Sequence, residues 1–319
     1  MKLGFGLYRH MLNEEHYRFA KQCGATHVIV HLVDYFNQGN TASLNNQPVG
    51  KSGGWGIAGD PDKLWTVEEL VNLKKELAKY DLQLEGIENF DPAHWHDVLL
   101  DGPQRERHIE NCKTIIRNIG EAGIPILGYN FSLAGVAGRI QEDSARGNAT
   151  TVGLRGTNEM IEEPIPQGMI WNMVYDRNAP KGIQPSITHQ ELWRRLRGFL
   201  NEVLPVAEEA GVVMAAHPDD PPLKFVRKQP RLVYQPRMYQ DLLDIRPSHS
   251  NQLEFCLGTL AEMEEGDIDM KKIMGILRKN DFQGVLIADH TPQMSCSAPW
   301  HAGMAYAMGY IKALMDTLK

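Results

Sequence analysis

The feature of this 319-residue chain that most constrains its fold is a regular alternation of short apolar segments with longer amphipathic segments. Short apolar segments predict buried strands, and the longer ones have the 3.6-residue period of helices. We predict strands over residues 3–8, 27–32, 82–88, 124–131, 212–217, 253–258 and 284–290. Strands and helices in alternation favour a parallel sheet with right-handed crossovers.

Helix signals bound the segments between these strands. We predict helices over residues 67–79, 104–122, 189–210, 269–279 and 303–318. Thr66 is a typical N-cap, and Glu69 three residues later completes a capping box. Gly123 and Gly211 follow two of the segments, where a glycine commonly ends a helix.

Polar and ionisable side chains follow nearly every predicted strand. They are Arg9, His10, His31, Asp34, Glu88, Asn89, Tyr129, Asn130, His217, Asp219, Asp220, Cys256, Asp289 and His290. In a closed barrel of parallel strands, the carboxyl ends meet at one mouth, where catalytic side chains collect. The first strand also lacks the glycine-rich phosphate turn of a doubly wound nucleotide fold. We therefore predict a TIM-type (β/α) barrel with seven recognisable strands, formed by a single domain over residues 1–319.

Two stretches without periodicity, residues 37–63 and 132–185, are predicted to be insertions on the catalytic face. The first is rich in Gly, Asn and Ser, and the second carries scattered charges and prolines. Both follow predicted strands, and long loops in that position are commonly lids or substrate-binding walls. The alternative is a pair of mobile loops without a role.

Composition excludes several classes of protein. The chain has 33 Lys and Arg against 40 Asp and Glu, a formal charge of −7, which disfavours a nucleic-acid partner. No apolar run approaches the ~18 residues of a membrane helix, and the N-terminal residues lack the apolar region of a signal peptide. The four cysteines form no CxxC pair, which indicates reduced thiols. These features predict a cytoplasmic globular protein without a membrane partner.

Three potential metal ligands follow strands in the C-terminal half of the chain: His217, Cys256 and Asp289. An imidazole, a thiolate and a carboxylate converging at a barrel mouth suit a divalent ion such as Mn²⁺, Fe²⁺ or Zn²⁺. Each signal is weak alone, because a strand-end cysteine is more often a small core residue and a histidine beside a proline is usually structural. The turn at residues 217–222 combines three ionisable side chains with three prolines. A solvated loop seldom has such a composition, so the turn favours the metal site.

His290 directly follows Asp289 in the last predicted strand. Adjacent side chains alternate between the two faces of a strand, so both can face the mouth only where the strand ends. His290 can then lie over the mouth while Asp289 binds the metal. A nearby cation disfavours the charged imidazole, which suits His290 to act as a general base near neutral pH. The alternative is a simple Asp–His surface pair.

Several motifs resemble those of the mannonate dehydratases, members of the xylose-isomerase-like group of TIM barrels. The most specific are the HPDDPP turn at residues 217–222 and the FCLGT segment at 255–259. Weaker matches lie at residues 5–12, 113–120, 122–125, 129–131, 266–270 and 289–290. These motifs keep the family's order and span most of the chain.

The resemblance implies a lyase that dehydrates a sugar acid such as D-mannonate to a 2-keto-3-deoxy acid. It implies Mn²⁺ as cofactor, with Fe²⁺ or another divalent ion as the alternative, held by His217, Cys256 and Asp289. It also implies acid–base catalysis at His290, shared with Asp289. The ion would offset the negative charge of an enediolate intermediate.

The chain departs from the family's pattern between the FCLGT segment and the helix that follows residue 268. The dehydratases carry a further strand and helix there, with a His-Leu-Arg motif whose histidine is another metal ligand. Residues 258–267 leave no room for this unit. Water or a histidine such as His301 would take the vacant ligand position, and the gap in the barrel would stay open or be filled by another segment or subunit. Such a gap favours a homo-oligomer, although no residue pattern identifies an interface.

Further side chains are predicted to contact the substrate. Arg9, His31 and Asn130 would bind its carboxylate and hydroxyls, since an arginine suits bidentate carboxylate binding, and Glu88 is placed with them. A second hypothesis is a metal-dependent sugar isomerase or epimerase, in which Glu88 is a ligand or base. A third is a non-catalytic sugar-binding relative, supported by the missing ligand unit.

Overall fold

The computed structural model describes residues 1–37, 54–154, 159–263 and 268–317. Seven parallel strands form its main sheet: β1 (Lys2–Leu7), β2 (His27–Val30), β3 (Gln83–Glu88), β4 (Ile126–Tyr129), β5 (Val213–Ala216), β6 (Asn251–Leu253) and β7 (Val285–Ala288). Their spatial order is β6-β5-β4-β3-β2-β1-β7. Strands consecutive in sequence are therefore neighbours from β1 to β6, as right-handed strand–helix–strand units produce.

Ten helices lie in the described residues, and the long ones bury apolar faces against the outside of this sheet. The ten helices are α1 (Glu14–Gln22), α2 (Val67–Ala78), α3 (Pro92–Leu100), α4 (Arg105–Glu121), α5 (Glu159–Glu162), α6 (His189–Ala210), α7 (Met238–Leu243), α8 (Leu257–Glu262), α9 (Met270–Lys279) and α10 (Pro299–Thr317). The capping box of Thr66 and Glu69 is confirmed, and Gly211 ends α6 with a φ of +68°. In the described part of the chain, no helix has the length and apolar content needed to cross a bilayer.

The sheet curls into a TIM-type (β/α) barrel whose two edge strands are β6 and β7. Seven strands agree with the prediction, and within the described residues no strand lies between these two edges. The predicted sixth strand is wrong in its bounds, because β6 ends at Leu253 and Cys256 is instead the N-cap of α8. All four cysteines are unpaired, as predicted.

The described parts of both predicted insertions are folded against each other. A small sheet joins Gly56–Ile57 of the first to Met173–Val174 and Met169–Ile170 of the second. Beside it, Val33, Tyr35, Phe36, Trp55 and Met173 form a hydrophobic cluster separate from the main core. The second insertion also contains an antiparallel hairpin, Ile140–Ala145 with Ala149–Gly153. Residues 38–53 and 155–158 of the insertions lie outside the described residues.

Two shorter features complete the chain trace. The strands Phe225–Val226 and Gln229–Pro230 pair in an antiparallel ribbon after β5, and 3-10 turns span Arg9–Met11 and Arg146–Asn148. The turn at Arg9–Met11 directly follows β1. It therefore decides where the side chains after that strand point.

Candidate active site

A pocket opens at the carboxyl ends of the main-sheet strands. Its strand-end lining includes Tyr8, His31, Glu88, Asn130, His217, Cys256, Asp289 and His290. Trp55, Val136, Arg139 and Trp171, from the two insertions, form a further part of the wall. The described parts of the insertions thus occupy the place expected of substrate-binding walls.

Arg9 and His301 are not brought into this pocket. Arg9 is exposed, and its Nη1 donates a hydrogen bond to the carbonyl of Leu32 at 3.1 Å. The ring of His301, on α10, packs edge-on against Phe19 at a centroid distance of 4.6 Å. Neither residue belongs to the described lining of the pocket.

His217 and Cys256 both line the pocket, and the thiol is close enough to act on the imidazole. Nδ1 of His217 donates to the carbonyl of Pro218 at 2.6 Å, so in the neutral ring the lone pair is on Nε2. A metal-binding histidine usually donates its other ring N–H in this way. The Sγ of Cys256 also accepts hydrogen bonds from the amide and hydroxyl of Thr259, at 3.5 and 3.2 Å. The imidazole and the thiol are therefore each held in place by their own hydrogen-bond partners in the same pocket.

The electrostatics around His217 are dominated by anionic neighbours. Burial lowers the pKa of His217, but the hydrogen bond and charge of Cys256, followed by Glu254 and Glu88, raise it well above the usual value. A positive charge is therefore favoured at this point of the pocket, whether it comes from a proton or from a cation.

His31 and Glu88 are partners from the neighbouring strands β2 and β3. Nε2 of His31 lies 3.2 Å from Oε2 of Glu88, and the ring of Tyr8 stacks on His31 at 4.7 Å. Burial lowers the pKa of His31 to about 4 and raises that of Glu88 to about 7. Because both shifts favour uncharged groups, the contact is better described as a hydrogen bond than as an ion pair. A carboxyl group with a pKa near 7 is suited to proton transfer.

Asp289 and His290 extend the pocket beyond β7. Their side chains are exposed, and Nε2 of His290 lies 3.8 Å from Oδ2 of Asp289. The charge of Asp289 raises the pKa values of His31, Glu88 and Glu254, so this carboxylate acts on the interior of the barrel. His290 therefore lies at the border of the pocket, beside Asp289.

The sequence analysis missed several side chains in and around the pocket, among them Trp55, Trp171 and Glu262, and two further ones bear on its chemistry. Arg139, in the second insertion, pairs with Asp220 at 2.8 Å and is the single Lys or Arg among the described lining residues. Glu254 directly follows β6, and burial, then the charge of Glu88, raises its pKa to about 8. The period of two along a strand does not identify Glu254, because β6 ends at Leu253 and Cys256 already caps α8.

A second group of potential ligands lies outside the pocket, on α3 and α4. His96, Asp97 and His108 are buried, and their ligand atoms lie within 4.8 Å of one another, closer than those of the predicted ligands in the pocket. Nδ1 of His108 accepts the amide of Asp97 at 3.1 Å, so the proton of the neutral ring is on Nε2. Asp97 also accepts the amide of Gln104 at 2.8 Å. These bonds hold the turn between the two helices, and we assign the group a structural role.

Comparison with known proteins identifies the family. The family model "D-mannonate dehydratase (UxuA)" matches residues 29–265. The chain belongs to the mannonate dehydratase family. The resemblance seen in the sequence motifs is therefore confirmed.

Individual mannonate dehydratases show the extent of the similarity. That of Streptococcus suis (strain 05ZYH33) is 27% identical over 303 residues, which cover 79% of this chain and 78% of the relative. That of Geobacillus thermodenitrificans is 33% identical over 222 residues, 65% of this chain and 59% of the relative. The similarity thus extends beyond the short motifs.

Solved structures share the fold. The crystal structure of mannonate dehydratase from Streptococcus suis serotype 2 has a TM-score of 0.73 at 22% identity and covers 100% of this chain and 93% of that chain. A D-psicose 3-epimerase structure has a TM-score of 0.54 at 10% identity, with 99% of each chain covered. At these identities the likeness concerns the fold alone.

Proposed function

We propose that this chain is a metal-dependent hydro-lyase that removes water from D-mannonate, or a closely similar sugar acid, to give a 2-keto-3-deoxy acid. Membership of the mannonate dehydratase family carries the proposal, because the family model spans residues 29–265. The isomerase or epimerase alternative is not favoured, since its support is a shared fold at 10% identity.

The donor set of the pocket fits a divalent transition ion. His217, Cys256 and Asp289 would hold it, and the lone pair on Nε2 of His217 is available for it. Imidazole and thiolate donors favour a transition ion over Mg²⁺ or Ca²⁺, and we propose Mn²⁺, with Fe²⁺ as the alternative. When bound, such an ion polarises the carboxylate and hydroxyl oxygens of the substrate and stabilises negative charge that develops beside them.

The proton chemistry is assigned to His290 and Glu88. His290 takes the proton from C2, next to the carboxylate, and the C–H electron pair becomes the C2=C3 double bond as the C3–oxygen bond breaks. Glu88 gives its proton to the departing hydroxyl, so that water leaves. Burial supports this role by holding the pKa of Glu88 at about 7, which keeps a large protonated fraction near neutral pH. The resulting enol tautomerises to the 2-keto-3-deoxy acid.

Arg139 is assigned to the substrate carboxylate. Its guanidinium lies in the pocket, paired with Asp220 at 2.8 Å, and arginine binds carboxylates in a bidentate manner. His31 and Asn130 remain proposed contacts for hydroxyl groups. Asn130 is held by its own hydrogen bonds to Pro218, at 3.2 Å, and Trp171, at 3.3 Å.

Replacing Arg139 with Met is expected to raise the KM for D-mannonate by about 10- to 100-fold, because hydrogen bonds to a charged group contribute about 1.5–3 kcal/mol. Steady-state kinetics of the Mn²⁺-loaded protein measure this. Arg146→Met is the control, since Arg146 belongs to the same insertion but lies outside the described pocket lining. An unchanged KM for Arg139→Met would remove this residue from carboxylate binding.

The proposed function is tested by incubating the Mn²⁺-loaded protein with D-mannonate and measuring a 2-keto-3-deoxy acid. A parallel incubation in D₂O separates the alternatives, because an isomerase or epimerase returns exchanged isomers without loss of water. Formation of the deoxy-keto acid is the expected result. Exchanged isomers without that product would favour the isomerase or epimerase, and neither product would contradict both.

A further inference from the structure

Glu254 has an acidic side chain inside the barrel that the family's pattern does not assign. Its amide donates to the carbonyl of Ala216 at 2.8 Å, which extends the pairing of β6 with β5 one residue beyond Leu253. His217 is likewise one residue beyond Ala216, and residues in register on parallel strands face the same side. Glu254 and His217 therefore both face the interior of the barrel.

The carboxylate of Glu254 reaches across β5 to β4. Its Oε2 lies 2.8 Å from the position that a Cβ on Gly128 would occupy, and Cγ of Glu88 lies 3.2 Å from the same point. Gly128 is in register with Ala215 on β5 and Glu88 on β3. The absence of a side chain at Gly128 thus lets two carboxyl groups approach each other in the interior.

Three carboxyl groups, counting Glu254, lie with two imidazoles in this part of the barrel. The groups that act on Glu254 are Glu88, His217, His31 and Asp289, that is, two further carboxyls and two imidazoles. The arginine of the described pocket lining, Arg139, is already paired with Asp220. Acidic side chains removed from solvent are normally paired or bound to a metal.

An orphaned ring nitrogen points to the same conclusion. His31 is 8% exposed, and its Nδ1 has no hydrogen-bond partner. This ring lies among the same carboxylates, since the charges of Asp289 and Glu254 both act on it. Nδ1 of His31 therefore lacks a partner within the protein, and a bound ion or a substrate hydroxyl would supply one.

We propose that Glu254 is a ligand of the metal ion held by His217 and Cys256, in place of the ligand that the resemblance assigns to the strand–helix unit missing here. The inference rests on the metal site of the proposed function. It explains how a chain without the His-Leu-Arg unit retains a sufficient donor set. It also places a carboxylate oxygen on the side of His217 that faces β3 and β4.

The experiment is a Mn²⁺ titration of the whole protein, with free Mn²⁺ followed by electron paramagnetic resonance. We expect the wild type to bind one equivalent and Glu254→Gln to bind about 30-fold more weakly or worse, since even the loss of a group that only hydrogen-bonds to a metal ligand costs about 10–100-fold in affinity. Glu88→Gln is the matched control, because Glu88 is a neighbouring carboxyl of similar burial. It is expected to change Mn²⁺ affinity by less than about 5-fold, as loss of a non-coordinating charge would.

Co²⁺ substitution gives a readout of the coordination sphere. Glu254→Gln and Glu254→Asp are expected to change the d–d bands and to keep the sulfur-to-cobalt charge-transfer band, which Cys256→Ser should abolish. Thermal unfolding of the metal-free variants checks the fold. Glu254→Gln should be no less stable than wild type, because burial disfavours a charge on Glu254 and the amide is a neutral group of nearly the same shape.

The outcomes separate this inference from the proposed function. Wild-type Mn²⁺ affinity and wild-type Co²⁺ spectra in Glu254→Gln would overturn the ligand role and leave the metal site in place. Equal losses in Glu254→Gln and Glu88→Gln would also overturn it, since they would indicate a general charge effect. A wild type that binds neither ion would overturn the metal site itself, and the inference with it.

Discussion

Replacing His290 with Asn is expected to lower kcat by about 100- to 10,000-fold, the range that a positioned general base contributes, while the protein still binds one equivalent of Mn²⁺. His290 lies at the pocket edge beside Asp289, at 3.8 Å, and asparagine cannot accept the C2 proton. The measurement is turnover of D-mannonate together with the metal content of the same sample.

The control for this variant is His301→Asn, the same substitution at a histidine that packs on Phe19 and is absent from the described pocket lining. It should leave both turnover and metal content unchanged. Near wild-type turnover in His290→Asn would assign the base to another residue. Loss of the metal in His290→Asn would instead make His290 a ligand, and the C2 proton would then need a different acceptor.

The main sheet could be predicted because each strand is a short apolar run between helix signals. Five of the ten described helices were not predicted, α1, α3, α5, α7 and α8, and two of these were missed for opposite physical reasons. Residues Pro92 to Leu99 of α3 are buried on all sides, so the helix has no polar face to give a 3.6-residue pattern. α1 is short and buries only Tyr17 and Ala20. The sixth strand was predicted too long and too late in the chain, since it shares only Leu253 with β6, and the apolar Phe255 that lengthened it is 48% exposed.

The site was predictable where residues sit at strand ends and not where loops bring them in. Arg139 lies in an aperiodic insertion, and its partner Asp220 is 81 residues further along the chain. Arg9 follows a strand, but the 3-10 turn beginning there directs its guanidinium to the carbonyl of Leu32. Sequence position relative to a strand therefore predicts a place at the mouth, and local backbone geometry decides which side chains enter it.

The HPDDPP turn contains residues that line the pocket, such as His217, and residues that hold the turn itself, such as Asp219. Asp219 does not enter the described pocket lining: its Oδ1 lies 3.0 Å from Nε of Arg231, and its Oδ2 accepts the amides of Leu232 and Val233 at 2.7 and 2.8 Å. Arg231 is 1% exposed. This ion pair fixes the turn that follows His217, so part of the motif serves the geometry of the site rather than its chemistry.

Replacing Arg231 with Met is consequently expected to destabilise the protein by about 3–5 kcal/mol, the cost of breaking a buried ion pair from one side. The variant leaves the Asp219 carboxylate uncompensated and also removes hydrogen bonds to the hydroxyl of Ser132, at 3.0 Å, and the carbonyl of Asp220, at 2.6 Å. Urea unfolding at pH 7 measures the change.

Two comparisons make the Arg231 result specific to a buried charge. The double variant Asp219→Asn with Arg231→Met should recover part of the loss, because no unpaired charge remains in the interior. Arg246→Met removes an exposed partner of Glu208, 3.6 Å away, and should cost less than about 1 kcal/mol. If Arg231→Met cost no more than Arg246→Met, the turn would be held by its backbone and prolines alone. The position of His217 would then not depend on the ion pair between Asp219 and Arg231.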